Sequence, residues 1–208
     1  ATWTVNSYKL TFDVDGNLTE KTFKYGESVT AIENPTKVGH TFTGWSEELP
    51  VKMPANDITV EATWTVNSYK LTFDVDGNLT EKTFKYGESV TAIENPTKVG
   101  HTFTGWSKEI PATMPAEDLT VKATWTVNSY KLTFDVDGNL TEKTFKYGES
   151  VTAIENPTKV GHTFAGWSKE IPVKMPANDL YVSATWTVNS YKLTFDVDGN
   201  LTEKTFKY

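Results

Sequence analysis

Residues 1–29, ATWTVNSYKLTFDVDGNLTEKTFKYGESV, return unchanged at 62–90 and 123–151 and begin again at Ala184. The period is 61 residues, and all of 1–42 recurs at 62–103 and 123–164. A fixed period of this length means several copies of one small folding unit in series, so the copy is the object to read. Differences between copies fall in the last third. Thr43 becomes Thr104 and Ala165, Glu47 becomes Lys108 and Lys169, and Glu61 becomes Lys122 and Ser183. Near-identity of this kind records duplication in which copy number, rather than the chemistry of one copy, is what varies.

Within the first copy, Tyr8, Leu10, Phe12 and Val14 alternate with Lys9, Thr11, Asp13 and Asp15, the period-two pattern of a half-buried strand. Asp15-Gly16-Asn17 is a turn signal, and Lys21, Phe23 and Tyr25 then alternate with Thr22 and Lys24, so the segment predicts a β-hairpin. Gly26 ends it. Glu27 to Pro35 has room for a helical turn or two at most. GHTFTGW reads as a third strand carrying Phe42 and Trp45 inward, and Met53 to Asp57 as a turn or brief helical turn. Ile58, Val60, Ala62 and Trp64 alternate with Thr59, Glu61 and Thr63 in a last strand. Trp45 and Trp64 are the expected anchors of each core. Thr65 to Ser68, without Gly or Pro, is a connection too short to give neighbouring copies much freedom.

Composition bounds the function. The 208 residues are 38% hydrophobic and 13% aromatic, and each unit lies near the lower size limit for independent folding, where large aromatic side chains supply most of the buried area. There is no cysteine, which removes disulfides, thiolate metal sites and thiol nucleophiles. A net charge of -7 without a basic stripe argues against nucleic acid. No apolar run approaches a membrane span, so membrane insertion is not expected, and the chain reads as a window of a longer array whose export signal and anchor lie outside it.

The candidates for chemistry are weak. Asp13, Asp15, Asn17 and Glu20 carry oxygen ligands, yet Gly16 stands fourth from Asp13 where a calcium loop of the EF-hand kind needs its glycine sixth. His40 has no second imidazole nearby in sequence, and Ser28, His40 and Asp57 lack any nucleophile elbow. Glu47-Glu48 is broken by Lys in the other copies, Asn17-Leu18-Thr19 is a glycosylation sequon by pattern alone, and no spacing singles out a Lys-Asn isopeptide. Trp45, Trp64 and Tyr8 are better placed in a core than along a ligand groove, and Tyr181, replacing Thr59 and Thr120 on the outward face of the last strand, is the one aromatic expected to be exposed. The expectation is no catalytic, cofactor-binding or metal-binding residue, and no enzyme.

YKLTFDVDGN, NPTKVGHTFTGW and MPANDITVEATW together resemble the Listeria-Bacteroides repeat, also called the internalin-type B repeat. The most specific part is Gly39, Thr41, Phe42, Gly44 and Trp45. His40, His101 and His162 depart from it, standing where a tyrosine is usual. The resemblance implies a mainly β fold, α+β at most, of small β-grasp-like domains whose first and last strands lie side by side and parallel. Termini at opposite ends and a short connection then imply an elongated rod, roughly 25 to 30 Å per unit by compact-domain scaling. The expected division is a preceding repeat's last strand at 1–5, repeats at 6–66, 67–127 and 128–188, and an incomplete fourth at 189–208.

The resemblance further implies an extracellular setting, on a bacterial cell surface or secreted, and a stalk or spacer that projects another domain. The alternatives are an adhesive repeat that binds a host or neighbouring-cell ligand by avidity, and a filament segment that self-associates through edge strands or the incomplete repeat. Neighbouring repeats of the same chain are the first expected partners.

Overall fold

The computed structural model describes residues 1–208 and is all-β. In the first repeat β1 (Ser7–Val14) and β2 (Asn17–Lys24) form the predicted hairpin, followed by β3 (His40–Trp45) and β4 (Ile58–Val66). The second and third repeats repeat this as β5 (Ser68–Val75), β6 (Asn78–Lys85), β7 (His101–Trp106), β8 (Leu119–Val127), then β9 (Ser129–Val136), β10 (Asn139–Lys146), β11 (His162–Trp167) and β12 (Leu180–Val188). A last hairpin comprises β13 (Ser190–Val197) and β14 (Asn200–Lys207). The sheets run β2-β1-β4-β3, β6-β5-β8-β7 and β10-β9-β12-β11, with β13-β14 as a two-stranded sheet. The chain divides into two compact units, Ala1–Glu94 with Trp106–Ala123, and Asn95–Gly105 with Thr124–Tyr208.

The hairpin is dictated locally. Asp15 and Gly16 both take positive φ, 51° and 89°, which is the type I′ geometry that matches strand twist in a two-residue loop. Gly16 N–H donates to Asp13 Oδ1 at 2.7 Å and tightens the turn. The turn sets Val14 opposite Asn17 and, further along, Tyr8 opposite Phe23.

On its other edge β1 pairs with β4 in parallel, Leu10 beside Ile58 through Asp13 beside Glu61. That uses only the first half of β4. The second half pairs antiparallel with β3, from Trp45 beside Ala62 to His40 beside Val66, with a bulge between Phe42 and Gly44. The bulge needs Gly44, whose φ of 137° few side chains tolerate. Because β1 and β4 are parallel, the start of one and the end of the other lie at opposite ends of the sheet.

Leu10, Phe12, Phe23, Met53 and Val60 are the buried core of the first repeat, and Tyr8, Val29, Ile32, Trp45, Leu49 and Ile58 pack around them. Equivalent residues form the cores of the second and third repeats. Val29, Ile32, Leu49 and Met53 come from segments outside the strands, so irregular chain contributes much of the packing on these cores. The helical turns entertained for 27–35 and 53–57 do not form. Instead Gly26 N–H donates to Met53 O at 2.8 Å, Met53 N–H to Glu27 O at 2.8 Å and Val29 N–H to Val51 O at 3.1 Å. Those long-range bonds take donors and acceptors that a local helix would have used.

Trp45 packs on Phe12 with ring centroids 4.9 Å apart. Trp64 belongs to a neighbouring aromatic group, edge-on to Phe42 at 5.6 Å, with Lys37 Nζ 5.5 Å from its ring centroid. Lys37 Nζ also meets Asp15 at 3.0 Å, so one lysine ties the hairpin turn to β4 and fixes the lead-in to β3.

Candidate functional site at the repeat junction

The polar residues singled out in the sequence are engaged with the fold. Asp13 closes the hairpin turn, Asp15 holds Lys37, Asn17 Nδ2 donates to Val14 O at 3.3 Å, and Glu20 pairs with Lys9 at 2.8 Å. Asp57 accepts Lys9 N–H at 2.7 Å, and Ser28 forms a β-bridge with Lys52. His40 Nδ1 lies 2.8 Å from Val38 O. A carbonyl can only accept, so Nδ1 carries the proton. No group of three His, Asp or Glu side chains is arranged to hold a metal ion.

What the geometry does assemble is a junction between successive repeats. β4 ends at Val66 and β5 begins at Ser68, so the connection is Asn67 alone, shorter than the four residues read from sequence. Asn67 is bonded on three sides. Its N–H donates to Gly39 O at 2.8 Å, its O accepts Tyr86 N–H at 2.8 Å, and its Oδ1 accepts the Thr41 hydroxyl at 2.6 Å. Gly39 and Thr41 belong to the repeat before, Tyr86 to the repeat after.

Tyr86, at the end of the second hairpin, lays its ring against Gly39 and His40. The His40 and Tyr86 rings meet edge to face, with centroids 5.7 Å apart. Gly39 is required twice over. Its φ is 70°, and a Cβ there would overlap the Tyr86 ring.

The same arrangement recurs. Asn128 N–H donates to Gly100 O at 2.9 Å and Tyr147 N–H to Asn128 O at 2.8 Å, with His101 and Tyr147 ring centroids 5.8 Å apart. Asn189 N–H donates to Gly161 O at 2.8 Å and Tyr208 N–H to Asn189 O at 3.0 Å, with His162 and Tyr208 at 5.9 Å. Thr102 and Thr163 reach the Asn128 and Asn189 side chains at 2.6 Å. Each of these three clusters lies within one compact unit. Tyr25 is the instructive exception. Its N–H reaches Asn6 O at 2.9 Å, but no glycine-histidine pair lies against its ring, and it is exposed where Tyr86 and Tyr147 are half-buried; Tyr208, although seated against Gly161 and His162, is exposed as well.

Sequence reading placed Tyr25 in phase with Phe23 and took Gly39 as part of the most specific stretch of the repeat, and so missed the pairing of this tyrosine position with the glycine of the copy before. The available signal was Tyr-Gly at the hairpin end and Gly-His before β3, both invariant among the copies.

A chain of small four-stranded units, each bonded to its neighbour through a one-residue link, is a tandem structural repeat. The Listeria-Bacteroides repeat domain matches residues 8–65, 69–125 and 130–183, and the chain belongs to that family. It is 41% identical over 140 residues to Internalin H of Listeria monocytogenes, covering 59% of this chain and 26% of that protein. It is 26% identical over 226 residues to a protein of Evansella cellulosilytica named as a membrane protein, covering 94% of this chain and 34% of the relative. A second protein of that organism, named as a Gly-rich membrane protein, is 28% identical over 240 residues, 96% of this chain and 27% of its own length. The chain thus spans about a quarter to a third of these relatives. No helix of the chain is long and apolar enough to cross a membrane.

Proposed function

We infer that the chain is a non-enzymatic spacer, a stalk segment that sets the distance between a bacterial cell surface and another domain of the same protein. The observation that carries this reading is the junction, repeated with the same three bonds to an asparagine at each passage from one repeat to the next. A one-residue link held on three sides restrains how a following repeat can turn. The family and the relatives named as membrane proteins support a surface setting. The folding units under this reading are 6–66, 67–127 and 128–188, with 189–208 the opening hairpin of a fourth.

Small-angle scattering on chains of increasing repeat number tests the reading. A spacer requires the maximum dimension to rise by a constant increment per repeat, about 25 to 30 Å by compact-domain scaling. Dimensions that stay close to those of one globule overturn it. Saturable binding to cells or matrix that tightens with copy number would replace it with an adhesive reading.

A further inference from the structure

We propose that the glycine-histidine notch at the end of each repeat is a docking site selective for the tyrosine that closes the next repeat's first hairpin, and that this fit couples the stabilities of neighbours. The proposal rests on the spacer reading and adds to it the residues that decide which repeat can follow which.

Three features support selectivity. The notch exists because Gly39 has no side chain, and the space a Cβ would fill is taken by the Tyr86 ring. The imidazole of His40 supplies a wall that meets that ring edge to face, and its orientation is set by the Nδ1–H bond to Val38 O. The third feature is that the tyrosine is delivered in register, since its own N–H bonds the linking asparagine whose N–H bonds the notch glycine. A repeat with a branched or short side chain at the tyrosine position would leave the notch half filled, and one with any Cβ at the glycine would have none.

The first repeat separates the two halves of the device. Tyr25 N–H already reaches Asn6 O without a notch present, so the asparagine-tyrosine clasp is a property of each hairpin, whereas the glycine and histidine against the ring come from the preceding repeat. The bonds from Asn67 to Gly39 O and from the Thr41 hydroxyl to Asn67 also cross the junction, and the fit of Tyr86 against Gly39 and His40 adds to them the part of the coupling that depends on the side chain at the tyrosine position. Covering one face of a tyrosine and forming an edge-to-face ring pair are both favourable, and neither is available to a repeat standing alone.

The test is a double-mutant cycle in the full chain, with substitutions at all junctions together because the copies are identical there. Tyr86, Tyr147 and Tyr208 are changed to Ala in one variant, Gly39, Gly100 and Gly161 to Ala in a second, and both sets in a third. Equilibrium unfolding and exchange of the Asn67, Asn128 and Asn189 amides are read. The tyrosine set should speed that exchange by about tenfold or more, about 1.4 kcal/mol in the opening equilibrium. The glycine set should cost less in the tyrosine-free background, where only backbone strain remains.

Two controls separate fit from strain and from hairpin damage. Gly44, Gly105 and Gly166 to Ala is strained at φ 128–137° with nothing within 4 Å of the added Cβ, and should be additive with the tyrosine set. Tyr25→Ala should leave unfolding unchanged. Additivity of the notch glycines with the tyrosines, or unchanged asparagine exchange, overturns the proposal. A constant scattering increment alongside that result would leave a spacer with uncoupled joints, so failure of the coupling and failure of the spacer reading are distinguishable.

Discussion

Ser7–Tyr25 and Ser190–Tyr208 are the same nineteen residues, and the chain folds both into the same hairpin with the same register. Their burial differs completely. Leu10, Phe12 and Phe23 are 0%, 0% and 7% exposed, whereas Leu193, Phe195 and Phe206 are 50%, 43% and 51% exposed. Strand pairing is thus a local property of the sequence, set by alternation and an Asp-Gly turn. Burial is conferred by residues 26–66, which add β4 to the open edge of β1 and bring Met53, Leu49 and Trp45 to its apolar face. A hairpin without such cover is marginal on its own.

The comparison is broken most directly by truncating the same residue in both places. Phe12→Ala should destabilise the first repeat by about 3 to 5 kcal/mol, because it empties a fully buried site. Phe195→Ala should change the stability of the three complete repeats by no more than about 0.5 kcal/mol. Denaturant unfolding of the two variants checks both numbers, and equal effects would mean that the last hairpin is packed in a way its exposure does not reveal. Next in size is Met114→Ala, expected to cost about 2 to 5 kcal/mol, since Met114 belongs to no strand yet lies in the core of the second repeat. A loss below about 0.5 kcal/mol would show that irregular chain over the core is dispensable.

Met53 and its counterparts also mark where sequence reading stopped. The hairpin was legible because period-two alternation and Asp15-Gly16 are local signals, and β4 was legible for the same reason. Residues 26–35 and 46–57 have no period, and their backbone is satisfied across more than twenty residues, as in Met53 N–H to Glu27 O. No short window contains that information. The junction was hidden differently. Tyr25 sits in phase with Phe23 and so reads as core, and what distinguishes its counterpart Tyr86 is a glycine 47 positions earlier, in another copy.

A second comparison, among the three complete repeats, concerns the variable position beside the first hairpin turn. In the third repeat the Tyr181 hydroxyl donates to Asp135 Oδ2 at 2.5 Å. That bond, followed by the Gly138 N–H, holds the Asp135 carboxyl below the usual carboxylate range, and Asp135 in turn raises Tyr181 above the usual phenol range. A lowered acid contributes stability while ionised and loses it as pH falls through its folded pKa. A raised phenol contributes while protonated and loses it as pH rises through its own. Tyr181→Phe should therefore reduce stability near neutral pH, with the difference from the parent shrinking below about pH 4 and above about pH 10. Thermal unfolding against pH reads this, and a difference independent of pH would assign the effect to packing.

A small gain should come from the first repeat, where Glu61, Asp13 and Asp15 line one shallow pocket beside the turn. In the second repeat Lys122 occupies the Glu61 position and reaches Asp74 at 3.4 Å. The two repeats share their fold, so a lysine at 61 should find Asp13 as Lys122 finds Asp74. Glu61→Lys then exchanges a like-charge neighbour for an ion pair with an exposed lysine and a largely covered aspartate, as at Lys122 and Asp74, and a pair open to solvent on the lysine side contributes about 0.2 to 1 kcal/mol, less in salt. The expected result is a gain in that range at low ionic strength that fades at about 1 M salt. A gain that persists in high salt would mean that the lysine stem packs on the sheet rim, and that the variable third of the repeat is tuned by packing as well as by charge.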